Sequence, residues 1–479
     1  MNKGFWRLGI ITALLLILAA CDYTVYEHAL EYAGNEVRQE AEKINEAKMT
    51  ATEEDYVQIV EQVAGQPELQ SAQQPAHYAD IFASGRARRE YLEDLDHLYN
   101  ILSANFPFFG VIYRSLGVDM HALYRETRQF IETTDDIRSD LHFANIIDTR
   151  FIQPALSAGH FNMLTDSVLQ MHIEIFSNQV AGGSDQFLYF MYELDNPATR
   201  ALHGLTDENF KPPTPGTDSF AFANTSNNIE ARVIEPDTIA YVNILQMNHA
   251  TMHLDREKLL NFFHYVSDFD HLIIDIRQNG GGDSRFFSDL VISPNISEPL
   301  GYYFYMLMMD GDHNRRLLST WFGNWWDGIT EYPVFAPIDD DLLERLTYLN
   351  PNDANILDLY WTWRGYIYPS QDEAIFGGKI WLLVSERNFS ASEQAAAISR
   401  QAGFATLVGQ TTGGDGIGIN PLVVALPNTG VVVRYSSAYG TDPLGRNNQE
   451  FGTDPHVFNR PRRNALQTTL ELIAEGDYR

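Results

Sequence analysis

The chain has 479 residues, of which 44% are hydrophobic and 12% aromatic, so it is long enough for two or three domains and can bury a large core. Its formal net charge of −31 gives a surface that repels phosphate backbones, which argues against nucleic-acid binding. The single cysteine excludes intrachain disulfides and thiolate metal clusters.

Residues 1–20 have the features of a lipoprotein signal peptide. Lys3 and Arg7 precede an apolar run, Leu8 to Leu18, that is too short for an ordinary spanning helix. The small residues before Cys21 are similar to a bacterial lipoprotein cleavage site, in which this cysteine becomes the lipidated first residue. We therefore expect an extracytoplasmic protein of the bacterial cell envelope, lipid-anchored to the membrane at Cys21. An uncleaved signal anchor is the alternative.

Three segments of different composition follow. Residues 21–84 are rich in Glu, Gln and Ala and predict an acidic tether with a surface helix. Residues 85–165 have apolar side chains every three or four positions and predict a helical N-terminal domain that ends near His160. Residues 166–237 are hard to interpret. The alternation in Met171–Ile175 favours a strand, so we expect an irregular β-containing segment.

Residues 238–479 alternate between predicted strands and helices, which indicates an α/β core. An aromatic insertion spans about 298–372. Its tryptophans either line an apolar substrate pocket or pack into the core: Trp321, Trp325, Trp326, Trp361 and Trp363. The sequence has no His-x-x-x-His helix, Cys/His cluster or Walker loop, so we expect no metal and no nucleotide cofactor.

Two segments of this core carry the candidate chemistry. Ser390-Ala391-Ser392-Glu393 lies between a predicted strand and an Ala-rich helix, where a serine hydroxyl can lie beside the first helical N–H groups. Asp-x-Arg-x-Asn-Gly-Gly-Gly, which starts at Asp275, follows a buried strand. Its bare glycines let backbone N–H groups approach a ligand oxygen closely. The alternatives are two helix-capping serines and an ordinary turn.

Together these segments resemble the C-terminal processing peptidases, or tail-specific proteases, and their tricorn-type relatives. The resemblance implies a Clp protease/crotonase-like α/β core behind a helical N-terminal domain. It implies a serine endopeptidase that acts on polypeptides or peptides, with Ser390 as the nucleophile. The oxyanion donors would be the Gly280 or Gly281 amide and the Ala391 amide, while Asp275 and Arg277 pair and orient the glycine loop.

The general base is where the sequence departs from one branch of that family. Tail-specific proteases have a lysine 25 positions after the serine, and here that position is Asp415. Either the enzyme is dead or another base acts. The tricorn-like branch uses Ser, His and Glu, and His160 falls at the position of its histidine. A neutral imidazole is suited to take the serine proton near pH 7.

The resemblance also implies an acid that orients the imidazole. Family members have a glutamate shortly before a Gly-x-x-Pro sequence, and Glu450 fits this pattern one residue closer to the glycine, where Gln449 takes the usual position. A solvated loop carboxylate is the alternative for Glu450. Many relatives carry a PDZ domain near 166–237, but the segment is short and has no recognisable carboxylate-binding loop.

Two further functions stay open from the sequence alone. One is a non-catalytic lipoprotein that binds ligands or peptides on the same fold, which the missing lysine and the tryptophans favour. The other is an envelope scaffold whose acidic arm, residues 22–80, holds a partner. The sequence indicates neither the substrate nor the oligomeric state.

Overall fold

The computed structural model describes residues 86–135, 137–166, 168–170, 172–173, 186–210, 226–316 and 335–476. The predicted signal peptide, the lipidation site Cys21 and the acidic tether lie outside these residues, as do Trp321, Trp325 and Trp326. Within the described part of the chain, no helix combines the length and the apolar character needed to cross a bilayer.

The described chain opens with four α-helices: α1 (Arg88–Asn105), α2 (Phe109–Leu116), α3 (Met120–Thr133) and α4 (Asp140–Ile147). The apolar positions of α1 recur every three or four residues and are buried, as the periodicity predicts. A π-turn (Asp148–Ile152) and two 3-10 turns (Gln153–Ala155 and Ala158–His160) end this helical region. His160 is therefore the last residue of this helical region and comes two residues before the first strand.

The segment that was hardest to interpret, residues 166–237, is helical in most of its described part and has one strand, Ile229–Glu235, near its end. It contains α5 (Gln186–Leu194) and α6 (Pro197–His203), followed by a 3-10 turn (Asp207–Phe210). His172 and Ile173 are helical, although the alternation around them favoured a strand. Ile173 packs in a hydrophobic cluster with Phe190 and Leu194, so a short amphipathic helix satisfies the same pattern.

Thirteen strands and seven further helices complete the described elements. The strands are β1 (Asn162–Met163), β2 (Ile229–Glu235), β3 (Ile239–Ile244), β4 (His271–Asp275), β5 (Leu300–Met308), β6 (Ala336–Pro337), β7 (Leu359–Ile367), β8 (Lys379–Val384), β9 (Thr406–Gly409), β10 (Leu422–Ala425), β11 (Val432–Tyr435), β12 (Tyr439–Thr441) and β13 (Val457–Phe458). The helices are α7 (Met252–Tyr265), α8 (Arg285–Phe287), α9 (Asp340–Arg345), α10 (Pro351–Ala354), α11 (Ala391–Gln401), α12 (Asn448–Phe451) and α13 (Ala465–Glu475).

A six-stranded mixed sheet forms the centre of the second half, with strand order β13-β9-β8-β4-β3-β2. All neighbours pair in parallel except β2, which pairs antiparallel with β3 at the edge. Strands β4 and β8 are buried almost throughout, because hydrophobic clusters cover both faces of the sheet. The predicted α/β fold class is confirmed.

Two smaller antiparallel sheets flank this centre. In the order β12-β5-β7-β6, the aromatic insertion supplies β5, β6 and β7, and β12 comes from the C-terminal part. The order β1-β11-β10 joins the end of the helical region to the C-terminal half. Trp363 packs against Tyr302 and Phe304, and Trp361 packs against Phe335, so these two tryptophans contribute to the packing of the insertion. The helical region shares one hydrophobic core with β10 and β11, which fixes where His160 lies.

Candidate active site

Ser390 lies at the turn between β8 and α11. Its backbone has φ 57° and ψ −124°, and its side chain makes no capping hydrogen bond to the helix that it precedes. Its backbone N–H donates to the Gly414 carbonyl, with an N–O distance of 3.2 Å. The interpretation of Ser390 as a simple helix cap therefore finds no support, because its hydroxyl does not perform that task.

Ser392, one of the two serines that the sequence offered as helix caps, lies inside the first turn of α11 and is fully buried. Its hydroxyl donates to the Asn279 carbonyl at 2.6 Å and accepts from the Phe389 N–H at 3.0 Å. This side chain therefore ties the serine turn to the glycine loop. Its role differs from the prediction because a partner more than a hundred residues away in sequence competes for the hydroxyl.

Asp275 and Arg277 form the pair that the sequence predicts. The two carboxylate oxygens accept from Arg277 Nε at 2.9 Å and Nη2 at 2.6 Å, and Tyr241 donates its hydroxyl to the same carboxylate at 2.7 Å. The Arg277 carbonyl accepts from Ser385 Oγ at 2.7 Å. The pair thus joins the end of β4 to the segment that leads to Ser390.

Gly281 packs directly against the serine turn. Its φ is +109°, and a Cβ at this position would lie 2.6 Å from the Phe389 carbonyl oxygen and 3.1 Å from the Ser390 Cβ. Only glycine allows this approach without strain. The Gly281 N–H donates to Asn279 Oδ1 at 2.9 Å, so this amide is engaged within the loop.

The Gly280 and Ala391 amides are different, since no acceptor contacts either of them among the described residues. Ala391 N lies 3.0 Å from the position that a Cβ on Gly281 would take, so the glycine loop and the start of α11 are in contact. Of the three amides predicted as oxyanion donors, the structure leaves Gly280 and Ala391 available and occupies Gly281.

His160 lies against the turn that carries Ser390. Its imidazole packs on the Phe389 ring with a centroid distance of 4.7 Å. Its Nδ1 contacts the Asp415 carboxylate in a short hydrogen bond and lies 3.2 Å from Ser436 Oγ. Because Nδ1 is occupied, Nε2 is the ring nitrogen available to accept a proton. No hydrogen bond joins Ser390 to His160 among the described residues, and such bonds often tighten only with substrate bound.

The backbone before His160 is held from both sides. Gly159 donates its N–H to Gln449 Oε1 at 2.9 Å, and its carbonyl accepts from the Ser436 N–H at 2.6 Å. A side chain on Gly159 would collide with the Phe106 and Phe108 rings, at 2.6 and 2.7 Å. Gln449, at the position where the family pattern has a glutamate, thus holds the peptide that precedes the imidazole.

Three of the candidate residues have left-handed backbone conformations. The φ angles are 50° for His160, 57° for Ser390 and 53° for Asp415. Side chains other than glycine rarely adopt such angles, and residues that do so concentrate at functional sites. This coincidence at three positions far apart in sequence marks the cluster as a site.

Glu450 does not take the place that the sequence predicted for it. Its two oxygens accept from Arg114, at 2.9 Å from Nε and 2.7 Å from Nη2, and Arg114 also pairs with Asp353 at 2.6 Å. The prediction that Glu450 orients His160 is therefore corrected, because helix α12 directs Gln449 toward Gly159 and leaves Glu450 facing Arg114. The carboxylate that contacts the imidazole belongs to Asp415.

Glu393 lies one turn into α11 and is fully buried. Its Oε1 accepts from Asn448 Nδ2 and Thr453 Oγ1, each at 2.6 Å. Burial raises the pKa of Glu393 from its ordinary 4.5 to about 7, although these hydrogen bonds oppose the rise. Glu393 also packs against Gly416, the neighbour of Asp415, so it supports the loop that carries that carboxylate.

A hydroxyl free of capping, an imidazole held by a carboxylate, and two amides without acceptors are the parts required for acyl transfer through a serine. The described residues hold no group of three or more His, Cys, Asp or Glu side chains placed to bind a metal ion. The arrangement is that of a serine hydrolase site.

Comparison with known protein families indicates which kind of serine hydrolase this chain resembles. Residues 238–458 match the model of peptidase family S41. The chain therefore carries a domain of peptidase family S41 and is a serine-type peptidase that acts on peptides or polypeptides. The predicted family resemblance is confirmed. No curated protein is similar enough in sequence to this chain to count as a match.

Several solved structures are similar over most of their length. A candidate peptidase from Parabacteroides merdae is 18% identical, with 81% of this chain and 97% of that chain covered and a TM-score of 0.47. Mature CPAF is 14% identical, with 78% and 92% covered and a TM-score of 0.47. The photosystem II D1 C-terminal processing protease is 14% identical, with 78% and 94% covered and a TM-score of 0.36.

Proposed function

We propose that the chain is an extracytoplasmic serine endopeptidase of the C-terminal processing type, with Ser390 as nucleophile, His160 as general base and Asp415 as the acid that orients it. The single observation that carries the proposal is the hydrogen bond between His160 Nδ1 and Asp415, with the imidazole packed at a tilt against Phe389, the residue before Ser390. A carboxylate on Nδ1 fixes the tautomer in which Nε2 accepts a proton.

The proposed reaction follows from these positions. Ser390 Oγ attacks the carbonyl carbon of the peptide while His160 Nε2 takes its proton. The Gly280 and Ala391 N–H groups donate to the oxyanion, each contributing on the order of 2.7–4 kcal/mol to the transition state. His160 then gives the proton to the leaving nitrogen, and the C–N bond breaks. Water adds to the acyl-enzyme with His160 as base, and the proton returns to Ser390 Oγ.

The position of Asp415 also helps to distinguish the proposed peptidase from a non-catalytic lipoprotein that only binds ligands or peptides. That alternative relied on the aspartate at the position of the family's lysine, since an aspartate cannot be a neutral amine base. A carboxylate in contact with an imidazole instead provides a second route to an activated serine. This geometry favours the peptidase over a protein that only binds peptides.

A fluorophosphonate probe on the full-length protein tests the nucleophile. We expect labelling at Ser390, located by peptide mapping, and no labelling in Ser390→Ala. Ser103→Ala, on the surface of α1, is the matched control and should label as the wild type does. Labelling that persists in Ser390→Ala would reject the assignment.

Turnover of a random decapeptide library tests the base. His160→Ala should reduce turnover by about 10²–10⁴-fold, the usual contribution of a general base. His264→Gln, on the exposed face of α7, should retain it. Equal turnover in both variants would exclude His160 from the reaction.

The location is proposed from residues 1–21 alone. Metabolic labelling with palmitate in a bacterial host should mark the wild type and not Cys21→Ala, and the wild type should fractionate with membranes. An unlabelled wild type found in the cytoplasm would contradict a lipid anchor.

A further inference from the structure

Arg434 carries a positive charge that forms no ion pair with a carboxylate of any residue that the structure describes. It lies in β11 with its side chain partly buried, and its Nε donates to Asn162 Oδ1 at 2.8 Å. Its two terminal nitrogens make no hydrogen bond or ion pair with any residue that the structure describes. Most cations removed from water are paired, because an isolated charge loses its hydration without compensation.

The partly buried position of Arg434 has an electrostatic cost. Burial lowers the pKa of Arg434 below its ordinary value, and the negative charge of Asp415 opposes this decrease. Arg114 and Arg277 are also withdrawn from water, but each forms ion pairs with carboxylates. Arg434 therefore differs from these two arginines, because none of the described carboxylates forms an ion pair with it.

Arg434 lies beside the candidate active site. Asn162 faces Arg434 across the β1–β11 pair and comes two residues after His160. Ser436, two residues after Arg434, contacts both His160 Nδ1 and Asp415 at 3.2 Å. Two residues of strand span about 6–7 Å, which is also the length of about two residues of an extended peptide.

We propose that Arg434 binds a carboxylate of the peptide substrate beside the bond that is cut. The inference rests on the peptidase function proposed above and adds a substrate preference to it. A guanidinium whose Nη1 and Nη2 are both free can hold the two oxygens of a carboxylate in parallel N–H···O bonds. The carboxylate comes from an Asp or Glu side chain or from the C-terminus of the peptide.

The net negative charge of the chain would by itself disfavour the binding of carboxylate-bearing peptides. The chain has a formal charge of −31, so its mean field repels acidic peptides. A cation that lies near the His160–Asp415 pair opposes that field locally. Asn162 holds the Arg434 side chain through Nε, which leaves the end of the guanidinium for the ligand.

Binding to a variant without turnover tests the inference separately from catalysis. The probe is a random decapeptide library, selected on full-length Ser390→Ala and on the double variant with Arg434→Gln, with bound peptides identified by mass spectrometry. We expect retention of carboxylate-bearing peptides to fall about tenfold or more in the double variant, the loss expected for a charge-assisted hydrogen bond. Arg434→Lys, which keeps the charge, should restore part of the retention.

Two altered libraries distinguish the sources of the carboxylate. A library with amidated C-termini removes the terminal carboxylate, and a library with Asn and Gln in place of Asp and Glu removes the side-chain carboxylates. Weaker retention of one library by Ser390→Ala identifies that source. Equal retention of all three libraries overturns the proposal, as does retention that Arg434→Gln leaves unchanged.

The control variant is Arg89→Gln, which removes the same charge from the exposed face of α1 and should not affect binding.

Thermal unfolding separates an effect of Arg434 on binding from an effect on folding. Arg434→Met removes a buried charge without a partner, so it should leave stability unchanged or raise it while it abolishes the preference. A large loss of stability in Arg434→Met would assign Arg434 a structural role. Failed fluorophosphonate labelling would reject the peptidase and leave the binding result to stand.

Discussion

A single residue, Asp415, accounts for the departure of this chain from the lysine-dependent branch of its family. The position that elsewhere supplies an amine base supplies here the carboxylate that contacts the histidine. The sequence flagged this position, but only the contact with His160, 255 residues away, shows what the carboxylate does. An aspartate in place of the lysine at this loop position is therefore consistent with a histidine, rather than a lysine, as the proposed general base.

Replacement of Asp415 by asparagine tests this role. Asparagine keeps the shape of the aspartate side chain, but its amide can donate to His160 Nδ1 and carries no charge to stabilise the imidazolium. We therefore expect kcat/KM to fall by up to about 10⁴-fold. Glu450→Gln is the control, since it breaks the pair with Arg114 and should lower stability more than activity. Steady-state kinetics and thermal unfolding of both variants would separate the two carboxylates. Greater loss of activity in Glu450→Gln would restore the sequence-based assignment.

Gly281 offers a second test at the residue scale. In Gly281→Ala the added Cβ meets the Phe389 carbonyl at 2.6 Å in a left-handed backbone, so we expect a loss of stability of roughly 1–3 kcal/mol and a displaced Ser390. Gly280→Ala keeps its N–H and meets nothing within 4 Å, so it should fold and react normally. Chemical denaturation and fluorophosphonate labelling measure both effects. Equal behaviour of the two variants would contradict the close approach.

At the scale of the element, the sequence predicted the parallel core well because its strands are uninterrupted apolar runs. The predicted alternation over residues 238–479 is present in the core as β3, β4, β8 and β9 with α7 and α11 between them, and the Ala-rich segment after Ser390 is α11. The stretch around Ile173 could not be predicted, since five alternating residues fit a short helix as well as a strand. Ser392 could not be predicted either, because its partner comes from the glycine loop.

Helix α11 carries a titratable group whose effect on folding has a definite sign. The pKa of Glu393 is about 7 in the folded protein and near 4.5 when exposed, so the folded state holds a proton that the unfolded state has released. Stability should therefore fall by up to a few kcal/mol as pH rises from about 4.5 to about 7. Urea unfolding across this range should show the decrease in the wild type and in Glu344→Gln, which changes an exposed residue of α9. A decrease of equal size in Glu393→Gln would refute the assignment.

At the scale of the whole molecule, the site is assembled from segments that are remote in sequence. The helical region contributes His160, the turn after β8 contributes Ser390, and the loop after β9 contributes Asp415. Motifs identified the serine and the glycine loop because those residues are contiguous. No local pattern pairs an imidazole with a carboxylate 255 residues later, and so that part of the site required coordinates.

His313 links the insertion to the three-stranded sheet and limits stability in acid. Its Nε2 donates to the Val423 carbonyl at 3.1 Å, and its Nδ1 lies 3.0 Å from Arg316 Nη2. Burial, with the charge of Arg316, lowers the pKa of His313 from 6.5 to about 3. The unfolded state takes up the proton first, so stability should fall by up to a few kcal/mol as pH decreases from about 6.5 to about 3.

Urea unfolding at several pH values measures this dependence. His313→Gln should flatten the slope in that range, while the exposed His264→Gln should leave it as in the wild type. An unchanged slope in His313→Gln would assign the acid sensitivity to other groups.

The short sheet β1-β11-β10 has a consequence for synthesis. This sheet can position His160 only after β11 has been synthesised. Asp415, whose carboxylate contacts the imidazole, comes shortly before β11 in the sequence. A growing polypeptide emerges from the ribosome with its front end first. No nascent fragment that stops short of position 415 contains all three residues of the proposed site, so an unfinished chain lacks part of the machinery that we propose for peptide cleavage.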